Sequence, residues 1–270
     1  MSIIVHDGRA HADDFLAACV CLYKLDEPVY RQSASSAMLD DQKYWVLDQG
    51  RKFEPHLHNF DHHQIEEEIC AFTMILDYFF GKDYRIFMPN LRFIEIFDSY
   101  GPERASEFVG IKQEDLEKVT SPIHVSLIRS FSKIEGLVQE PFASIMKFIG
   151  QEICEQIEGN KQMLSTLTND SKTIEHQGIL ILDTTNCVPP NGFKHEQLPT
   201  KAWSKMNNVD PVVILTRDSR QNGYRMVSIN TKTLKFKPND KCYFVHNSGF
   251  LCGFEKYDDY SEILSFAEKT

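Results

Sequence analysis

The sequence has no CxxC pair, no internal repeat, no low-complexity tract and no apolar run long enough to span a bilayer. With an odd total of seven cysteines, the first absence argues against a disulfide framework and a zinc knuckle. It points instead to cysteines used as small buried apolar residues in a reducing compartment. The last absence excludes a membrane-spanning helix. Positive charge is also in short supply: 29 Lys and Arg face 39 Asp and Glu, giving a net charge of -10. That balance opposes a protein that grips long nucleic acids by their phosphates, although a local basic groove or bound cations can still attract phosphate. Ser2-Ile-Ile-Val5 runs directly into His6, which leaves no signal-peptide character, so a soluble cytoplasmic protein is expected.

What the chain does have is a concentration of imidazole. Four of its ten histidines lie within eight residues, His56 to His63, together with Asp61. Imidazole nitrogen and carboxylate oxygen are the donors that Mn, Fe, Co and Zn accept together. A His-rich surface loop is the competing explanation for this stretch taken alone.

The surrounding pattern is α/β. Ile3–Val5 reads as a strand ending at His6, followed by a polar loop to Asp14 and a buried helix from Phe15 to Lys24. Pro28–Arg31 reads as a second strand, and Lys43–Leu47 as a third that ends at Asp48-Gln-Gly50. In such units ligands gather beyond the carboxyl ends of the strands, where His6, His11, Asp13 and Asp48 would lie. Asp13 or Asp14 would alternatively be a helix N-cap. A loop then carries His62 and His63, and Gln64–Phe80 reads as one helix. The apolar segment Leu91–Phe97 ends at Asp98-Ser-Tyr-Gly-Pro102, where Asp98 taken alone is turn chemistry. Helical pattern fills residues 123–166, interrupted near Gly136 and Pro141. Four strands follow in the second half, with Asn222-Gly223 as a hairpin turn and a loop over His246–Gly253. A short helix, Asp259–Glu268, closes the chain. At 270 residues two domains are expected: a catalytic domain over 1–167 with a helical extension, a linker over 168–176, and a C-terminal domain over 177–270.

The order of motifs resembles the DHH phosphoesterase superfamily, and within it the Myg-type branch of metal-dependent hydrolases associated with 3′-5′ exonuclease activity. His6-Asp-Gly-Arg-Ala-His-Ala-Asp-Asp14 is similar to that branch's opening motif, and His58-Asn-Phe-Asp-His-His-Gln64 to its central motif. Phe244-Val-His-Asn-Ser-Gly-Phe-Leu-Cys-Gly253 resembles its C-terminal signature. The resemblance implies a DHH-type N-terminal domain with a mainly parallel sheet flanked by helices, plus a smaller C-terminal α/β domain. It implies two divalent metals, Mn²⁺ above all, with Co²⁺, Mg²⁺ or Zn²⁺ as alternatives. His6, His11 and Asp48 would hold one, and Asp13, Asp48, His62 and Asp98 the other, with Asp48 shared. Asp48 and His63 would be the catalytic pair, with His63 facing the substrate and Asp61 orienting the motif. Arg225, His246, Ser248 and Gly249 would bind substrate, although Arg225, on a strand, reads at least as well as an ordinary surface salt bridge. His58 would be support for the site or a turn residue.

The chain departs from the family pattern at Asp7, Ala10, Ala12, Asp14, Gln49 and Cys252. None of these removes a proposed ligand; they bear on substrate choice. The implied function is a phosphodiester hydrolase for RNA or short oligonucleotides, with metal-activated water attacking phosphorus in an inter-domain cleft. The rivals are hydrolysis of a small phosphate ester, cyclic dinucleotide or pyrophosphate, and a non-catalytic metal- or nucleotide-binding relative.

Overall fold

A computed structural model describes residues 1–88, 90–190 and 192–269 and divides the chain into two compact units, Met1–Ile157 and Glu158–Thr270. The first unit opens with β1 (Ser2–Val5), α1 (Ala12–Leu25), β2 (Val29–Arg31), α2 (Ser36–Leu39), β3 (Tyr44–Leu47), β4 (Phe53–Glu54) and β5 (Asn59–Phe60). Four helices and one strand follow: α3 (Ala71–Phe80), α4 (Leu91–Val109), α5 (Gln113–Val119), α6 (Pro122–Ser132) and β6 (Gly136–Leu137). The long α7 (Phe142–Asp170) then crosses the division between units.

The strand order is β4-β5-β3-β1-β2-β6, with β5, β3, β1 and β2 mutually parallel and the two edge strands antiparallel. Parallel strands need helical crossovers, so both sheet faces become buried and the strands read as nearly continuous apolar runs. Ile3, Val5, Trp45 and Leu47 pack with α1, α3 and α7 on one face. Ile4 and Val46 pack with Leu39 of α2 on the other. This topology directs three polar strand ends to one edge: His6 after β1, Asp48 after β3, and Asp61-His62 after β5.

Two expectations need correction here. Gln64–Phe80 is not one helix, because α3 begins at Ala71. Ile65 N–H closes a turn onto the His62 carbonyl, and the Thr73 hydroxyl accepts Cys70 N–H to start the helix. Leu91–Asp98, conversely, does not end in a turn at Asp98. It is helical, and the break comes at Gly101, with φ 80° and ψ -178°, ahead of Pro102.

The second unit contains β7 (Lys172–His176), β8 (Ile179–Asp183), α8 (Thr200–Asn207), β9 (Val213–Asp218), β10 (Gly223–Ser228), β11 (Leu234–Lys235), β12 (Cys242–Val245), β13 (Leu251–Phe254), α9 (Tyr260–Ser265) and β14 (Glu268–Lys269). Its six-stranded sheet runs β12-β13-β10-β9-β8-β7 and is antiparallel except where β8 meets β9. β9 and β10 form the expected hairpin. The molecule is thus α/β with two mixed sheets flanked by helices. The stretch 168–176, expected as a linker, is the end of α7 followed by β7, a polar strand at the sheet edge. β13 lies in what reads as a glycine-rich loop. Its Gly253 is matched to the Tyr243 ring, which a Cβ there would approach to 2.5 Å.

α1 and α7 meet at Gly150, where a Cβ would lie 2.0 Å from the Cys19 carbonyl oxygen. The obstacle is backbone and cannot swing aside. Gly150→Ala should therefore destabilise the first unit by about 1–3 kcal/mol of overpacking, outweighing a gain in helix propensity of about 1 kcal/mol. Thermal or urea denaturation checks this, and a variant as stable as its parent would contradict such close packing.

Candidate metal centre

Each ligand-type side chain is delivered by a different local device. His6 follows β1 with its Nδ1 against the Asp7 carbonyl at 2.6 Å, leaving Nε2 to face Asp14 Oδ2 at 2.9 Å and Asp48 Oδ2 at 3.5 Å. His11 is the N-cap of α1, and Asp14 Oδ1 accepts its backbone N–H at 2.9 Å. Asp14 is therefore inside the helix, joining the cap to the His6 ring. Asp13 follows His11 by two residues and turns fully inward.

Asp48 leaves β3 in the left-handed region, at φ 56°, while its N–H donates to the Phe60 carbonyl. Such backbone is disfavoured for aspartate and is found at sites that the surrounding structure overdetermines. Asp98 stands on α4, one turn before the break at Gly101.

These groups converge. Ligand atoms of His11, Asp13 and Asp98 lie within 4.8 Å of one another, as do those of Asp48, His62 and His63. His62 Nε2 joins the two groups, 2.8 Å from Asp98 Oδ2 and 3.3 Å from Asp48 Oδ1. All six proposed metal residues thus gather in the first unit.

The electrostatics are those of crowded carboxylates. Burial drives the Asp13 carboxyl well above its ordinary range, and the nearby carboxylates of Asp48, Asp98 and Asp14 push it in the same direction. Asp48 is likewise raised, chiefly by burial. For Asp98, burial opposes ionisation, but the His62 hydrogen bond and charge prevail and hold it below the usual value. His6 rises to about 9, mainly through its hydrogen bond to Asp14. Burial lowers His62, yet Asp48 and Asp98 together carry it up to about 10.

Neither Asp13 oxygen meets an N–H or hydroxyl donor although the side chain is buried, and its one close polar partner is the Asp98 carboxyl. A buried carboxylate without donors is costly, and coordination of a cation relieves it. The donor set of imidazoles and carboxylates, with no thiolate, fits a divalent transition metal.

Asp61 serves the site indirectly. Its Oδ1 accepts His63 N–H at 3.0 Å and Nδ1 at 2.7 Å, while Oδ2 accepts Arg51 N–H at 2.6 Å. His63 is half exposed, with Nε2 uncommitted to Asp61. His58 is a left-handed turn residue stacked on Trp45 at 4.2 Å, with Nδ1 at the Gln42 carbonyl.

Residues 2–74 match the MYG1_exonuc family model, described as "Uncharacterised protein family (UPF0160)". Over this segment the Myg-type likeness is shown. The segment contains β1 to the start of α3, and with them His6, His11, Asp13, Asp48, His62 and His63; Asp98 lies beyond it. No curated protein matches the chain. A structural comparison returns a pGpG-specific phosphodiesterase, PggH from Vibrio cholrae, at 10% identity over 97% of this chain and 95% of that one. The TM-score between the two is 0.29. The residues gathered around this segment are of the types that can hold a divalent metal ion.

Arg31 belongs to the site although no motif marks it. This residue is 1% exposed at the end of β2, and it donates to the carbonyls of His6, Gly8 and Phe131 at 2.6–3.2 Å. It fixes the loop between β1 and α1 that carries His6 and His11. Gln49, a departure from the family pattern, bridges Ala34 N–H and the Gln32 carbonyl, holding the turn after Asp48.

In the second unit, Arg225 is paired, 2.9 Å from Glu196 and 3.3 Å from Asp218, but it is buried rather than at the surface. His246 Nδ1 meets the Ser248 hydroxyl at 2.9 Å on an exposed loop. Gly249, at φ 73°, passes so close to Phe236 that a Cβ would lie 2.9 Å from its carbonyl oxygen.

The pH dependence of the chelated protein follows from His6 and His62. Both rise above the unfolded value of 6.5. Their protonated forms stabilise the metal-free fold fully below about pH 6.5, and that contribution disappears as pH rises through about 9 and about 10. Raised Asp13 and Asp48 add stability loss in the same direction. Chelated protein should therefore lose stability from pH 7 to 10, with a smaller slope in His62→Gln, and Mn²⁺ should restore it while releasing protons. A flat or rising profile in chelator would contradict this electrostatic picture.

Proposed function

We propose that the chain is a metal-dependent phosphodiester hydrolase of 3′-5′ exonuclease type, acting on RNA or short oligonucleotides and releasing nucleoside monophosphates. The observation that carries the reading is buried Asp13, reached by no N–H or hydroxyl donor and set among His11, Asp48, His62 and Asp98. No packing requirement explains such a cluster, whereas divalent cations do. His6, His11 and Asp48 would hold one ion, and Asp13, Asp48, His62 and Asp98 a second, Mn²⁺ fitting the mixed nitrogen and oxygen donors best. When bound, the two ions would polarise phosphoryl oxygens and acidify water.

The chain's own groups do the rest. Asp61 fixes the His63 ring through Nδ1, which supports a role for Nε2 as donor to a phosphoryl oxygen or the leaving oxygen. The short Nδ1 contact to Asp61 also argues that His63 is not itself a metal ligand. His246 and Ser248 of the second unit are proposed to contact substrate. Arg225 is already paired, so its contribution would be to hold Glu196 and Asp218.

The net charge of -10 favours a second reading in which the substrate is a small phosphate ester, cyclic dinucleotide or pyrophosphate. Mn²⁺-dependent turnover of a 5-mer RNA, a dinucleotide and pyrophosphate separates the two, and hydrolysis of pyrophosphate alone would reject the nuclease reading. Asp48→Ala should abolish turnover, and full retained activity would sink the assignment. His63→Ala should keep its metal while losing a factor on the order of 10²–10⁴ in kcat, the usual range for a lost general acid or base.

A further inference from the structure

The geometry points to Arg51 as a phosphate-binding residue, taking the substrate phosphate next to the one that is cleaved. This rests on the phosphodiesterase reading above. β4 and β5 pair with Phe53 opposite Phe60 and Glu54 opposite Asn59. The ladder continues one step beyond the strands, as Asp61 N–H donates to the Lys52 carbonyl at 3.1 Å. The Asp61 side chain then takes over: Oδ2 accepts Arg51 N–H at 2.6 Å and Oδ1 holds His63 Nδ1 at 2.7 Å. One carboxylate thus ties the Arg51 backbone to the ring proposed to face the scissile group.

Nothing local calls for arginine at this position. Its φ is 51°, directly after Gly50 at φ 92°, and left-handed backbone suits glycine or asparagine better than a long side chain. The guanidinium is exposed, and among the described residues it has no ion-pair or hydrogen-bond partner. The next residue differs: Lys52 is committed to Asp40 at 3.0 Å and Glu54 at 3.5 Å. The Arg51 side chain is therefore free to turn toward a site whose other charged side chains are mostly carboxylates, its backbone being anchored to Asp61. An uncommitted guanidinium offers the planar fork that matches two phosphate oxygens. The Arg51 backbone and the His63 ring are tied to opposite oxygens of Asp61, so an arginine side chain rooted there would reach a different group of one ligand from the His63 ring. His63 faces the phosphoryl group being cleaved, and Arg51 meets the neighbouring phosphate. The substrate class is accordingly an oligonucleotide with a phosphate flanking the scissile bond.

The test compares pApA with ApA in the full chain and in Arg51→Ala, Arg51→Lys and Arg51→Gly. Hydrolysis is followed with Mn²⁺, and equilibrium binding by calorimetry with Ca²⁺. The parent should prefer pApA at least tenfold in kcat/KM and in affinity. Arg51→Ala and Arg51→Gly should bring that ratio close to one, with Arg51→Lys in between. Arg51→Gly relaxes the backbone, so it should be at least as stable as the parent while losing selectivity, which a merely structural arginine would not do. A parent without preference, or an unchanged ratio in Arg51→Gly, overturns the proposal. If the parent hydrolyses neither dinucleotide nor bis(p-nitrophenyl) phosphate, the phosphodiesterase reading fails instead, and the binding ratio still decides the role of Arg51.

Discussion

Like-charge crowding at one edge of a parallel sheet is the constraint on which the first unit turns. Asp13, Asp14, Asp48 and Asp98 stand in and around one cluster, and three of them are almost wholly buried. Side chains of one sign cannot share so little space without protons or cations among them. His6 and His62 supply part of the compensation by holding protons. Burial and the neighbouring carboxylates push Asp13 toward its neutral form. Under the proposed function, divalent metal would take the place of these protons.

The scaffold explains how such a cluster is held. Parallel β1, β3 and β5 end at the same edge, so His6, Asp48 and Asp61-His62 arrive together although 55 residues separate His6 from Asp61. Groups outside the cluster then remove its freedom. Arg31 pins the loop after β1, Gln49 locks the turn after β3, and Asp61 orients His63 while tying the chain at Arg51. These are polar contacts to backbone or to a single ring, which restrict geometry without entering the site. Preorganisation of this kind limits what must move when a substrate binds.

Much of this was legible because an α/β sheet writes its function at strand ends. Apolar runs closing on His6 and Asp48 could be read directly, as could the Asp61-His62-His63 loop. Asp98 was harder. A lone aspartate ahead of Ser-Tyr-Gly-Pro reads as a turn, and only the placement of the break at Gly101 leaves it on a helix aimed at the cluster. Arg31 was hidden for the opposite reason, since a charged residue at a strand end normally faces solvent, and only its burial beneath the His6 loop reveals its task. β13 was missed because Gly253, which makes room for the Tyr243 ring, looks like a loop former in sequence. Residues 64–70 looked helical by periodicity, but hydrogen bonds around His62 and Thr73 delay the helix until Ala71.

The central claim is that the buried carboxylates and imidazoles form a shared centre for two cations. An equilibrium titration of chelated protein with Mn²⁺, counting tight sites by electron paramagnetic resonance, tests it most directly. Two tight sites per chain are expected, with spin coupling that shows the ions to be neighbours, and Asp13→Asn should lose one of them. No tight site, or two uncoupled sites indifferent to Asp13, would contradict the account.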